Sequence, residues 1–536
     1  MAVITFFRMS AHVPTMVFVS HPFIVPDKVE ERRYQVNMAN GGIASNSLLI
    51  LPTGLGKTIV ALFIAVEFIS KGKILIMAPS KPLLDQHVDT FRDLMVGHSI
   101  CEISGDIAPK KRAEMVEKND VIIATPQTIS NDLKNGMYSL DNFSLVIYDE
   151  AHRGVGDYSY VTVAQHCHKG IRSIGMTASP GSNINKIKEV CVNLNLKRID
   201  ARFEDDPDVA PYVHDTYVIK LMLNLPDDLV AIDHFLREQL DRYVKELVSL
   251  KLMNPARPPT RGHLLEIQNM LQMRVSSGEK TAITFKGLSL TSKSIKISHA
   301  IMLAETQGIT PLKIYLNKLE EEAEQEKGGR SAKELISREE YINMRKIVDS
   351  TNVEHPKVSK TMSIVSKILI DDPESKVIVF TQYRDTCDMM VKKLSAINGA
   401  KVSRLIGQAK DGMKQKEQEA MLDRLRRGEI NVIVATSVGE EGLDISSTNA
   451  VIFYEPVPSG IRTIQRMGRT GRKNDGDVYV MIAKGTMDEA AEATSKKKME
   501  TMKASIEKLN MELKMGKPIV PDTRQRNLDV FWPDYE

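Results

Sequence analysis

Cysteine is scarce. Cys101, Cys167, Cys191 and Cys387 are the only four in 536 residues, and none stands in CxxC spacing. That excludes a zinc ribbon or a disulfide framework and fits a reducing compartment. Net charge is almost absent as well: 72 Lys and Arg against 69 Asp and Glu leave +3, so overall charge argues for no partner. No run approaches 18 apolar residues, which predicts no transmembrane helix and no membrane partner. The apolar first 25 residues raise the question of a signal peptide. Arg8, His12, Pro14, His21 and Pro22 interrupt them without a small-residue cleavage site, so the expectation is a cytoplasmic protein, with Met9 or Met16 as alternative starts. Tryptophan occurs once, at Trp532, four residues from the end.

What is present is ordinary globular composition, 42% hydrophobic and 26% charged, in a length that accommodates roughly three domains. The most informative stretch is Leu49 to Thr58, LILPTGLGKT, followed by the helical pattern IVALFIAVEFI. A strand, a glycine turn and a helix start form a phosphate-binding loop: backbone N–H groups and the positive helix end face a polyphosphate. Thr53, Gly54, Leu55 and Gly56 would line it, Lys57 would hold the β/γ-phosphates, and Thr58 would offer its hydroxyl to Mg²⁺. Leu51 stands where the general GxxxxGK[ST] pattern has its first glycine.

From Glu30 to about Ile199, the short strands LLILP, KILIMAP, VIIATP, LVIYDEAH and RSIGMTASP alternate with helical stretches, predicting a parallel sheet covered by helices. Between about 221 and 354 the period changes. Leu229, Ile232, Leu236, Leu240, Tyr243, Leu247 and Leu250 are spaced three and four apart, the mark of an amphipathic helix in an all-helical insertion. Strands return at KVIVFT, VSRLIG, NVIVATS and AVIFYEP, and a charged helix follows from Asp488 to Met515. The expected organisation is an α/β domain over 1–220, the insertion over 221–354, a second α/β domain over 355–487 and a helical extension with a tail over 488–536.

Leu145-Val-Ile-Tyr-Asp149-Glu150 delivers two carboxylates to a strand end. Asp149 is placed to hold Mg²⁺ and Glu150 to orient and deprotonate an attacking water. In the second α/β domain, Gln465-Arg-Met-Gly-Arg469-Thr-Gly-Arg472 sets arginines three apart, able to stabilise charge developing on a γ-phosphate.

Together these motifs resemble superfamily 2 helicases from about residue 25 to 490. Gly407-Gln408, VATSVGEEGLD and FYEPVPSGIRTIQRMGRTGR are most similar to the archaeal Hef helicases and the Fanconi anaemia M group. The resemblance implies two RecA-like motor domains flanking the insertion, and a DEAH box at Asp149-Glu150-Ala151-His152. It implies adenine reading by Arg33 and Gln35, and further nucleotide contacts or catalytic roles for Gly442, Asp444, Gln465, Arg469 and Arg472. Nucleic-acid contacts fall on Pro79, Lys81, Thr125, Pro126, Thr381, Gln382 and Thr436, while Thr177-Ala178-Ser179 would couple hydrolysis to motion. ATP and Mg²⁺ are the implied cofactors and forked or branched DNA the track. Arg257, Arg261, Lys293 and Lys296 of the insertion are candidate duplex contacts, with solvated surface charge as the alternative.

The ERKxxxD core of the XPF-type nuclease that many archaeal relatives carry is absent, so any nuclease would be a separate partner. Two other functions stay open: a double-stranded-RNA-dependent ATPase, and an ATP-gated scaffold that binds junctions without unwinding. The tail adds Gln525, Leu528, Phe531 and Trp532 in the spacing Q-x-x-aliphatic-x-x-aromatic-aromatic, which resembles the peptide that binds the sliding clamp, PCNA. Docking back on the second motor domain is its alternative.

Overall fold

The computed structural model describes residues 17–52, 54–203, 205–212, 218–324, 330–407, 413–436, 448–456, 477–515 and 517–521. They form two compact units, one from residues up to 212 together with Met502–Pro521, the other from residues 218–501. Among the described residues, no helix is long and apolar enough to cross a membrane.

The first unit is built on seven parallel strands: β1 (Ser47–Ile50), β2 (Lys73–Met77), β3 (Ile100–Ile103), β4 (Val121–Ala124), β5 (Phe143–Tyr148), β6 (Arg172–Thr177) and β7 (Arg198–Ala201). Their order across the sheet is β3-β4-β2-β5-β6-β1-β7. The central strands read as apolar runs because helices cover both faces; every residue of β1, β4 and β5 is buried. Helix Lys57–Phe68 is buried at Val60, Ala61, Leu62, Phe63, Ile64, Ala65, Val66 and Phe68, so it lies inside the unit rather than on its surface. The edge strands β3 and β7 are only half buried and carry polar residues, which hid them in the sequence.

The second sheet has six parallel strands in the order β10-β11-β9-β12-β13-β8. They are β8 (Val218–Leu223), β9 (Val377–Phe380), β10 (Val402–Leu405), β11 (Val432–Ala435), β12 (Ala450–Phe453) and β13 (Asp477–Ala483). β8 pairs with β13 from Val218↔Val478 to Leu223↔Ala483, so a domain boundary at 220 would cut a strand of this sheet. The first sheet's domain ends before it. The side chains of β8 alternate between exposed and half buried at the sheet's edge.

Between β8 and β9 lies the all-helical insertion, with helices Asp227–Ser249, Arg261–Ser276, Ala282–Thr306, Ile309–Glu324, Arg330–Ile336 and Glu339–Ser350. The leucines of the first helix share one core with Leu264, Leu271, Leu312 and Leu316. Thr260 and Thr281 cap the second and third helices by accepting from His263 N and Thr284 N. Gly287 lets these two helices approach closely: a Cβ there would lie 2.5 Å from Leu252 Cδ1 and 2.9 Å from Leu271 Cδ1.

A buried polar joint ties the insertion to the second sheet. Lys357, fully buried, lies 2.5 Å from Asp488 Oδ2, donates to Thr306 O at 3.1 Å and sits over the Tyr454 ring. Glu305 pairs with Arg237 and accepts Met487 N at 2.7 Å, while Thr386 donates to Gln307 at 2.8 Å. The last helix runs Met487–Lys514, and its residues from Met502 onward belong to the first unit. There Met502, Ile506 and Leu509 are buried and Met502 Sδ meets Ser179 Oγ at 3.1 Å.

Candidate nucleotide site and nucleic-acid edge

The loop after β1 owes its shape to two glycines in the left-handed region, Gly54 (φ 91°) and Gly56 (φ 80°). At Gly56 the need is double, since a Cβ would stand 2.4 Å from Gln35 Nε2. Gln35 Nε2 and Tyr34 Oη both donate to Leu55 O, at 3.0 and 2.9 Å, so helix Arg33–Ala44 holds the loop from behind. The Leu55 side chain is buried and anchors it; only its backbone can serve a phosphate. Arg33 is exposed and Gln35 buried. Lys57 and Thr58 open helix Lys57–Phe68 half buried, with Lys57 Nζ 3.5 Å from Leu51 O. Their backbone N–H groups have no acceptor within the helix. Thr53 lies outside the described residues.

At the end of β5, Asp149 is 3% exposed. Its Oδ1 accepts Glu150 N at 3.0 Å and its Oδ2 lies 2.9 Å from His87 Nε2. Glu150 has φ 48° and ψ 48°, uncommon for a residue with a side chain and characteristic of functional turns. Its Oε2 is 3.3 Å from His152 Nδ1 and accepts from Thr177 Oγ1 at 3.5 Å, while His152 Nδ1 and Thr177 Oγ1 are 3.0 Å apart. Burial pushes the Glu150 carboxyl up, but the hydrogen bond from His152 and the charges of Lys57, His152 and Arg153 outweigh it, holding the pKa at about 2.

Strand order decides which motifs meet. β1, β6 and β5 are adjacent, so Lys57, Thr177 and Asp149 with Glu150 share one stretch of the sheet's carboxyl edge. β2 and β4 continue that edge, bringing Pro79 with Lys81 and then Thr125 with Pro126. At about 4.8 Å per strand, β4 lies roughly 19 Å from β1. The nucleotide candidates thus follow β1, β6 and β5, and the nucleic-acid candidates follow the next strands of the same edge, β2 and β4. In the second unit, Thr381 with Gln382 and Thr436 follow the neighbouring strands β9 and β11. Thr381 and Thr436 are buried, and Gln382 N donates to Glu455.

Comparison with known proteins agrees with the two parallel-sheet domains and the helical bundle. Residues 28–182 match the family described as type III restriction enzyme, res subunit, and residues 360–474 match the helicase conserved C-terminal domain. Residues 229–355 match a helical bundle provisionally described as that of an ATP-dependent RNA helicase. The crystal structure of the Pyrococcus furiosus Hef helicase domain superposes with a TM-score of 0.67 at 40% identity, covering 87% of this chain and 98% of that one. The chain belongs to the Hef-type superfamily 2 helicases. A Methanocaldococcus jannaschii protein provisionally named an ATP-dependent RNA helicase is 39% identical over 481 residues, covering 88% of this chain. The ATP-dependent DNA helicase mph1 of Sclerotinia sclerotiorum is 32% identical over 494 residues, covering 86% of this chain. The chain spans 60% and 40% of the lengths of these two curated relatives.

Within this Hef-type helicase, several expected contacts prove to be occupied. Lys81, partly exposed, pairs with Asp85 at 2.7 Å and with Glu102. Lys293 is buried 2.5 Å from Glu334 and Lys296 pairs with Glu322 at 2.8 Å. These two hold the bundle together rather than facing duplex. Arg257 and Arg261 are exposed, Arg257 beside Glu266 at 3.1 Å. Gly442, Asp444, Gln465, Arg469, Arg472, Gln525, Leu528, Phe531 and Trp532 lie outside the described residues. His87 was missed, although its place on the apolar face with Leu84, Val88 and Phe91 was a readable signal.

Proposed function

We propose that the chain is an ATP-dependent DNA helicase or translocase acting on forked or branched DNA in replication-fork repair and recombination. The observation that carries this reading is the meeting of Lys57, Thr177, Asp149 and Glu150 on three adjacent strands. The site suits a magnesium nucleotide: a glycine cradle, an ammonium, a helix N-terminus, a hydroxyl at Thr58 and a carboxylate at Asp149. Thr58 and Asp149 would hold Mg²⁺, which when bound offsets phosphate charge. Lys57 would grip the β/γ-phosphates of ATP. Glu150 would orient the attacking water and take its proton. Gln465, Arg469 and Arg472 take their catalytic roles from the resemblance alone, and turnover would require them as well.

The track would be gripped through phosphates, giving steep salt dependence and little base preference. DNA is favoured by the resemblance and by relatives named DNA helicases; the provisional RNA helicase name of the archaeal relative keeps a duplex-RNA ATPase as the second reading. A synthetic fork separates these. ATPase stimulated by forked DNA and not by duplex RNA, with strand displacement lost in Lys57→Ala, is the expected result. Stimulation by duplex RNA alone would replace the DNA reading, and stimulation without displacement would leave a translocase or a junction scaffold.

We further propose that the tail docks on the sliding clamp. Phe531→Ala combined with Trp532→Ala should abolish clamp binding while ATPase and melting temperature stay unchanged. Wild-type clamp binding by the double variant would make the motif a coincidence, and a clear drop in melting temperature would place the aromatics in the fold.

A further inference from the structure

His87 stands apart from the motifs that the proposed chemistry uses. It lies in helix Lys81–Leu94, after β2, and is 2% exposed among Leu84, Val88 and Phe91. Its Nε2 points at Asp149 Oδ2 across 2.9 Å, while its Nδ1 is buried without a hydrogen-bond partner. An ionised carboxylate can only accept, so the proton between them is assigned to Nε2, and the neutral tautomer leaves no N–H of His87 unpaired. The other carboxylate oxygen takes Glu150 N at 3.0 Å. The Asp149 backbone is fixed too: its N donates to Met77 O at 2.9 Å and its O accepts Tyr160 Oη. Each oxygen of Asp149 thus carries one donor that sets its direction and retains a lone pair.

We propose that His87 is a positioning residue for the magnesium site: it fixes the rotation of the Asp149 carboxylate so that the remaining lone pairs face the metal of the nucleotide. The proposal rests on the nucleotide-site reading above. Carboxylates that serve metals are themselves held by outer hydrogen bonds, and loss of such a partner typically costs about 10–100-fold in metal affinity or activity. A purely structural histidine would instead serve the packing of helix Lys81–Leu94 on the sheet, and its loss would not discriminate between nucleotide with and without metal.

The test is binding of a fluorescent ATP analogue to the full chain, titrated with Mg²⁺ and repeated in EDTA, alongside ATPase. His87→Ala should raise the Mg²⁺ concentration needed for half-maximal binding by about 10–100-fold and leave the affinity in EDTA unchanged. His87→Gln, whose amide N–H can reach the Nε2 position, should restore much of the Mg²⁺ dependence. Wild-type Mg²⁺ dependence in His87→Ala would overturn the proposal. So would equal loss of binding with and without Mg²⁺ accompanied by a lower melting temperature, which would mark a structural role. If the wild-type chain itself binds no magnesium nucleotide, the nucleotide-site reading fails first and this one with it.

Discussion

Replacing Glu150 with glutamine is expected to leave ATP bound and to slow its hydrolysis by about 10²–10⁴-fold. The amide keeps the size of the side chain and its place beside Thr177 and His152, whose own contact of 3.0 Å does not involve Glu150. What it loses is the charge that Lys57, His152 and Arg153 stabilise so strongly. A neutral amide can still touch the water but cannot draw its proton density toward the reacting face. Single-turnover hydrolysis beside equilibrium binding of a slowly hydrolysed analogue reads the two effects apart. Turnover at the wild-type rate would remove Glu150 from the reaction, and a loss confined to binding would make it a ground-state contact.

Lys357→Met should have the largest effect on stability. Lys357 and Asp488 are fully and nearly fully buried, and burial raises the Asp488 pKa even with the ammonium 2.5 Å away. Removing the cation strands a carboxylate and the carbonyl of Thr306, at a cost of about 3–5 kcal/mol. Each kcal/mol moves the melting temperature of a unit of 150–250 residues by about 2–4 °C, and residues 218–501 form a larger one, so a fall of at most about 6–20 °C follows. Adding Asp488→Asn should recover more than half of the loss, because the amide oxygen can still accept Ala483 N while no buried charge remains. A change of under 2 °C in the single variant, or no recovery in the double one, would show that the pair contributes little.

The same joint bears on how the insertion can be studied. Excising Leu229 to Ser350 would remove Glu305 and Thr306, leaving Met487 N without its acceptor and Lys357 without the Thr306 carbonyl. Loss of fork preference in such a deletion would therefore mix recognition with damage to the second sheet. Substitutions at the exposed Arg257 and Arg261 avoid that confusion.

The sequence by itself determined the local features. The phosphate loop was legible because its geometry is written in adjacent residues: a buried apolar strand, Gly54 and Gly56 where φ must be positive, then Lys57 at a helix start. The acidic pair was legible for the same reason, as were the central strands β1, β2, β4, β5, β6, β9, β11 and β12, whose burial on both faces leaves continuous apolar runs. Helical periodicity likewise gave the insertion, down to Leu229, Ile232, Leu236, Leu240, Tyr243 and Leu247 on its buried face. Only the tertiary structure decided what depends on strand order and on which distant groups share low-dielectric space. The edge strands β3 and β7 are broken by Glu102 and by Arg198 and Asp200, while β8 and β13 are largely apolar and still went unread. His87 reaches Asp149 because β2 lies beside β5, and Lys357 reaches Asp488 because helix Pro356–Asp371 packs where the last helix begins. Lys293 and Lys296 have the chemistry of surface lysines in sequence. Their charges are taken inside because Glu334 and Glu322 come from other helices of the bundle, and no spacing along one helix records a partner on another.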